Sequence, residues 1–219
     1  MMKKWLKTLC LATSLMLPGL LCADSVKKWE VDRIKIRLES VSRVPGESAS
    51  NGKVTTVKFS NNWLLVYIDY SPKASGGTGW VDDVVLNCQV AVPITGKNAD
   101  WVVFEGKTHF WTVSADGRNR TALMIIPPQL LDRYLPAGKR ASLSSLLARV
   151  AFSGPDGKVT GYDLHCPGMT NKSSAAKYFN EIYRKSSTIK VEGGLFPREM
   201  TPWRYDKMDQ TDLVRIDND

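Results

Sequence analysis

Few residues of this 219-residue chain have a type and spacing that could do chemistry. The nearest match is Ser174-Ala-Ala-Lys177, an S-x-x-K at the start of a helical pattern. At that spacing a lysine can activate a serine for acyl transfer. The S-D-N and K-T-G companions of that chemistry are missing, and Gly106-Lys107-Thr108-His109 departs from the second. Only two histidines occur, His109 and His165, each in a strand-like run. No H-E-x-x-H or C-x-x-C spacing supports zinc, and no G-x-S-x-G elbow is present. His165 and Cys166 are strand neighbours whose side chains point to opposite faces, so they are not a catalytic pair. The carboxylate pairs Asp82-Asp83 and Asp206 with Asp209 would hydrolyse a glycoside only across a cleft, and nothing in the pattern indicates one. Asp116-Gly and Asp156-Gly read as turns. The loop Pro72 to Gly79 is glycine-rich but lacks the spacing of a phosphate-binding loop. These observations predict a non-enzymatic chain with no metal and no cofactor.

What the residues do offer is binding chemistry. Trp203, Tyr205, Met208 and Leu213 are apolar anchors in a charged, proline-containing stretch that cannot build a core of its own. Anchors of this kind suit docking on a protein partner. Trp101 and Trp111 lie in the run Trp101 to Val113, which reads as a hairpin turning around Glu105-Gly106-Lys107. Their rings are either core or an exposed platform on which a sugar could stack. Six of the seven tryptophans follow residue 23.

The elements that must position these groups begin with an export signal. Lys3, Lys4 and Lys7 precede the apolar run Leu9 to Leu17. Pro18-Gly19 breaks that run, and Leu21-Cys22-Ala23 offers a small residue before a cut. This three-part pattern predicts a secretory signal peptide over 1–23. A lipid anchor at Cys22 is the alternative, although Leu21 and Gly19 invert the usual order of a lipidation site. No type IV prepilin leader is present, and no later stretch is apolar enough to span a membrane. The expected location is the periplasm, the outer-membrane surface or the cell exterior. The net charge of +8 is scattered rather than clustered, so nucleic acid is excluded as a partner.

An exported chain retaining Cys88 and Cys166 favours a disulfide between them, with two separate buried thiols as the alternative. Around them the chain reads as strands. Residues 29 to 42 alternate with period two, Val31 alone being out of phase. Val54 to Phe59, Trp63 to Tyr70, Trp80 to Ile94, Arg120 to Ile126 and Thr188 to Glu192 are β-branched and apolar. Leu143 to Phe152 and Val159 to Cys166 flank the turn Gly154-Pro155-Asp156-Gly157 as a hairpin. Pro127-Pro128 starts a short helix. Thr170 to Ser186 carries Ala175, Ala176, Phe179, Ile182 and Tyr183 on one helical stripe. The expected organisation is a mainly β, antiparallel sandwich over 24–194, with one short and one longer helix. Residues 195–219 follow as an extended strap or a partner-binding tail.

The strand series, the short turns and a possible inter-sheet bridge between Cys88 and Cys166 resemble an immunoglobulin-like sandwich. With the signal peptide, the helix near Ser173 to Lys185 and the tail Pro202-Trp203-Arg204-Tyr205-Asp206, the chain is similar to small exported immunoglobulin-like proteins. Those proteins are encoded with type IV pilus machinery in mucin-dwelling Gram-negative bacteria. The resemblance implies a non-enzymatic part in pilus assembly, adhesion or surface contact, with envelope proteins or pilus components as partners. A carbohydrate-binding module using Trp101 and Trp111 is the rival expectation.

Overall fold

The computed structural model describes residues 28–41, 62–76, 79–94, 101–135, 142–202 and 213–215, the last three as backbone only. The signal-peptide region, the expected strand Val54 to Phe59, and Trp203, Tyr205 and Met208 lie outside the described residues. The elements are β1 (Trp29–Val41), β2 (Trp63–Ala74), β3 (Trp80–Pro93), β4 (Trp101–Ser114), β5 (Arg120–Ile126), α1 (Pro128–Tyr134), β6 (Leu147–Ser153), β7 (Val159–His165), α2 (Lys172–Arg184), β8 (Thr188–Val191), β9 (Phe196–Pro197) and β10 (Leu213–Arg215). One sheet runs β1-β2-β5-β9; the other runs β10-β4-β3-β6-β7, with β8 also on β4. Every ladder is antiparallel except β4 with β8. The protein is a mainly β, two-sheet sandwich with two helices.

The core lies between the sheets. Ile68 and Met124 from the first sheet, and Leu86, Phe104, Val150 and Phe152 from the second, are fully buried there. Burial of each such side chain contributes about 1.5–3 kcal/mol. The out-of-phase Val31 has a local cause. The β1–β2 register shifts between Asp32 and Lys35, and Arg33 takes a left-handed φ of 51°. This bulge moves the strand's phase by one, so that Trp29, Val31 and Ile36 all face inward. Gly161 and Gly154 let β1 lie close to the β6–β7 hairpin, since a Cβ at either would overlap Val31 or Trp29.

Residues 101–114 correct the expected hairpin: β4 is one continuous strand. Gly106 pairs with Cys88 in mid-ladder. Its missing side chain makes room for Leu195, whose carbonyl and Cβ a side chain at 106 would strike. Glycine here marks close backbone approach rather than a turn. The chain after β8 uses that gap. The Leu195 N–H donates to the Glu105 carbonyl at 3.2 Å, Leu195 enters the main core at 2% exposure, and Phe196–Pro197 then pairs with β5 on the opposite sheet. Residues 192–197 thus cross one side of the sandwich.

Helix α2 starts at Asn171, whose Oδ1 accepts from the backbone N–H groups of Ser173 and Ser174 at 2.9 and 3.1 Å, an N-cap arrangement. Its buried stripe, Ala175, Phe179 and Ile182, packs on Ala91, Val103, Leu147 and Cys166. Those residues lie on the outward face of the second sheet, so α2 covers only one end of that face.

Candidate functional site

Ladder register decides what the rest of that face presents. Glu105 on β4 is opposite Gln89 on β3, which is opposite Arg149 on β6. The next outward row is Lys107, Asn87, Ala151 and Tyr162, from β4 to β7, and beyond it lie His109, Val85 and Ser153. Because side chains alternate along each strand, these rows face outward together. Their composition grades from apolar beneath α2, through a polar row, to open surface.

The first row is a hydrogen-bonded network. Gln89 Nε2 donates to Glu105 Oε2 at 2.8 Å. Arg149 Nε donates to Gln89 Oε1 at 2.8 Å, its Nη2 reaches the same oxygen, and its Nη1 donates to Asn180 on α2 at 2.8 Å. The guanidinium carbon lies 4.8 Å from the Phe179 ring centre, a cation–π distance. Tyr183 OH donates to Glu105 Oε1 at 3.0 Å, and Lys190 Nζ sits 4.1 Å over the Tyr183 ring. Burial lowers the Arg149 pKa from its ordinary value, against the opposing pull of Tyr183 and Glu105. Burial, and then the hydrogen bond to Glu105, raise that of Tyr183. The network fastens α2 to the sheet and fixes the orientation of Gln89 and Glu105.

At the other end of the β3–β4 ladder the surface is aromatic. Trp80 is 69% exposed and Trp111 is 54% exposed. Asp82 and Asp83 lie exposed beside them, and Asp83 holds a left-handed φ of 52°. Tyr162, 52% exposed, stands on β7 at the opposite margin of the face.

The other expected site residues are scattered. Trp101 is half-buried against the cluster beneath α2, at the far end of β4 from Trp111, so the two do not form one platform. Leu213 begins β10 and pairs with Thr112. The Cys88–Cys166 disulfide is not formed; both cysteines are free and buried. Cys88 faces the inter-sheet core, whereas Cys166 packs beneath α2 on the outward side. Thiols on opposite faces of one sheet cannot reach bonding geometry. Cys166 Sγ instead lies 3.9 Å from the Ala175 carbonyl. Ser174 and Lys177 are exposed on α2. His109 lies on the outward face, opposite Val85. His165 is opposite the core residue Ala148. Among the described residues no three His, Cys, Asp or Glu side chains group as metal ligands, and no helix is long and apolar enough to cross a membrane. Trp80, Tyr162 and the Glu105-Gln89-Arg149 row were not singled out from sequence. Their signal is spread over four strands and appears only once the register is known.

No protein-family model matches the chain, and no curated protein does. A crystal structure from Akkermansia muciniphila is similar, with a TM-score of 0.59 and 14% identity, over 87% of this chain and 96% of that one. The likeness is one of fold.

Proposed function

We propose that this chain is an exported, non-enzymatic interaction protein of the bacterial envelope or surface. It docks on a protein partner through the aromatic end of its second sheet, with pilus components as the partner class that the sequence resemblance implies. The observation that carries this reading is the exposure of Trp80 and Trp111 together at one end of an otherwise well-packed sandwich. Exposed tryptophans of this kind dominate interface energies, whereas nothing in the core needs them there. Strand order supports the immunoglobulin-like part of the proposal. With no D strand among the described residues, β1, β2 and β5 take the places of A, B and E in one sheet, and β4, β3, β6 and β7 those of C′, C, F and G in the other, C′ joining the C-F-G sheet as in the variable type.

The test is cross-linking of the chain in its own cells, followed by mass spectrometry, with Trp80→Ala and Trp111→Ala compared against the unsubstituted chain. Loss of a protein cross-link in both variants, with unfolding midpoints unchanged, is the expected result. A partner retained by both variants, or no protein partner at all, overturns the reading.

A second reading is a carbohydrate-binding module. It is favoured by the exposure of Trp111 on β4 close to Asp82 and Asp83 of β3, since an aromatic face stacks on a sugar and carboxylates accept from its hydroxyls. Trp101 no longer contributes to it.

A further inference from the structure

The outward face of the second sheet meets the crossing segment 192–200 in a half-open groove of about 500 Å³. That volume lies within the roughly 300–1,000 Å³ of small-ligand sites. Asn87, Gln89, Glu105 and Lys107 form its floor as two cross-strand pairs. Glu192 stands on one wall, and Phe196 and Met200 supply an apolar one.

Two features of this lining point to a ligand class. The first is that its polar groups are pre-organised but not exhausted. Gln89 and Glu105 are held by Arg149 and Tyr183. Asn87 and Glu192 make no side-chain hydrogen bond to another described residue, so their donors and acceptors remain available. A fixed floor binds without a large ordering cost. The second is charge. Glu105 and Lys107 lie in adjacent rows of the floor and Glu192 lines the groove beside them, with Arg149 and Lys190 at its margin by Tyr183. No single sign prevails. A ligand of either net charge would meet a like charge in the lining as well as an opposite one, whereas hydroxyls donate to the carboxylates and accept from Lys107 and Asn87 alike. What remains suited is an uncharged ligand dense in hydroxyls with one apolar face.

We propose that this groove binds a short uncharged saccharide, its hydroxyls paired with Asn87 and Glu192 and a C–H face laid on Phe196 and Met200. The proposal takes its ligand class from the second reading above and places it at a different site, away from Trp111.

The test applies the labelled chain to an array of neutral di- to tetrasaccharides, with sialylated and uronate-bearing glycans alongside. A neutral hit is then titrated by calorimetry against three variants. Asn87→Ala and Glu192→Ala should each weaken Kd by about tenfold or more, the loss of one good hydrogen bond, with unfolding midpoints unchanged, while Trp111→Ala binds as before. Binding lost in Trp111→Ala but kept in the other two overturns the groove and upholds the Trp111 platform. Binding confined to acidic glycans, or to none, overturns the proposal outright.

Discussion

Replacing Gly106 with alanine should destabilise this protein by about 1–3 kcal/mol, opposite in sign to the usual effect of that change in a strand. Gly106 has no left-handed φ, so its backbone would accept alanine without strain. On propensity alone, alanine gains about 0.5–1 kcal/mol over glycine in a strand interior. The new methyl, however, would overlap the Leu195 carbonyl and Cβ. If the crossing segment is displaced, Leu195 leaves the core, at about 2–3 kcal/mol. Its N–H also loses the Glu105 carbonyl, at about 1 kcal/mol. If the segment stays, β4 must bend, at about 1–3 kcal/mol. Urea unfolding followed by tryptophan fluorescence measures the difference, with exposed Lys107→Ala as a control expected within about 0.5 kcal/mol. A double-mutant cycle with Leu195→Ala should show coupling above about 1 kcal/mol, because both changes act on one contact. A neutral or stabilising Gly106→Ala, or additive behaviour in the cycle, would refute the close approach at Gly106.

Three further expectations are independent of this one. Burial pushes the Cys88 thiol up to about 12 and raises that of Cys166 as well. A thiol reagent should therefore leave both unlabelled in the native state and label both in denaturant, and a native mass showing them bridged would contradict this. Burial lowers the His165 pKa below its ordinary 6.5, partly offset by Asp163. Because the folded state resists the proton that the unfolded chain accepts, His165's contribution is intact above about pH 6.5 and lost as pH falls through the lower folded value. His165→Gln should flatten the stability profile just below pH 6.5. Asp69 and Asp116, both held below 3.8, act only at more acid pH, so an unchanged slope in the His165 variant would be decisive against it. Asp83→Gly should stabilise by about 0.5–1 kcal/mol, since glycine adopts a left-handed φ freely. Asp82→Gly should destabilise by a similar amount, and equal effects in thermal melts would argue against the strained Asp83 backbone.

Most elements were legible from local periodicity. The run Trp80 to Ile94 is too β-branched for a helix and became β3. The stripe Ala175, Phe179, Ile182 became the buried side of α2. Pro127-Pro128 opened α1, with Pro128 at its first turn. The readings that failed were those in which one residue type serves two purposes. Glu105-Gly106-Lys107 has turn composition, yet Gly106 is demanded by a segment almost ninety residues downstream. Cys88 and Cys166 satisfy the arithmetic of a disulfide, but one faces each side of the sheet.

The sequence by itself determined the mainly β character, the helices, the hairpin around Gly154 to Gly157 and the lack of a catalytic motif. Hydrophobic spacing, proline and glycine act within a few residues, and that information is local. Only the tertiary structure decided which side chains share a surface. The Glu105-Gln89-Arg149 row joins three strands through ladder register, and the groove above it exists because residues 192–200 cross from one sheet to the other. Register flips every side chain between faces with a one-residue slip, so such a surface is fixed by long-range pairing and core packing rather than by any stretch of chain read alone.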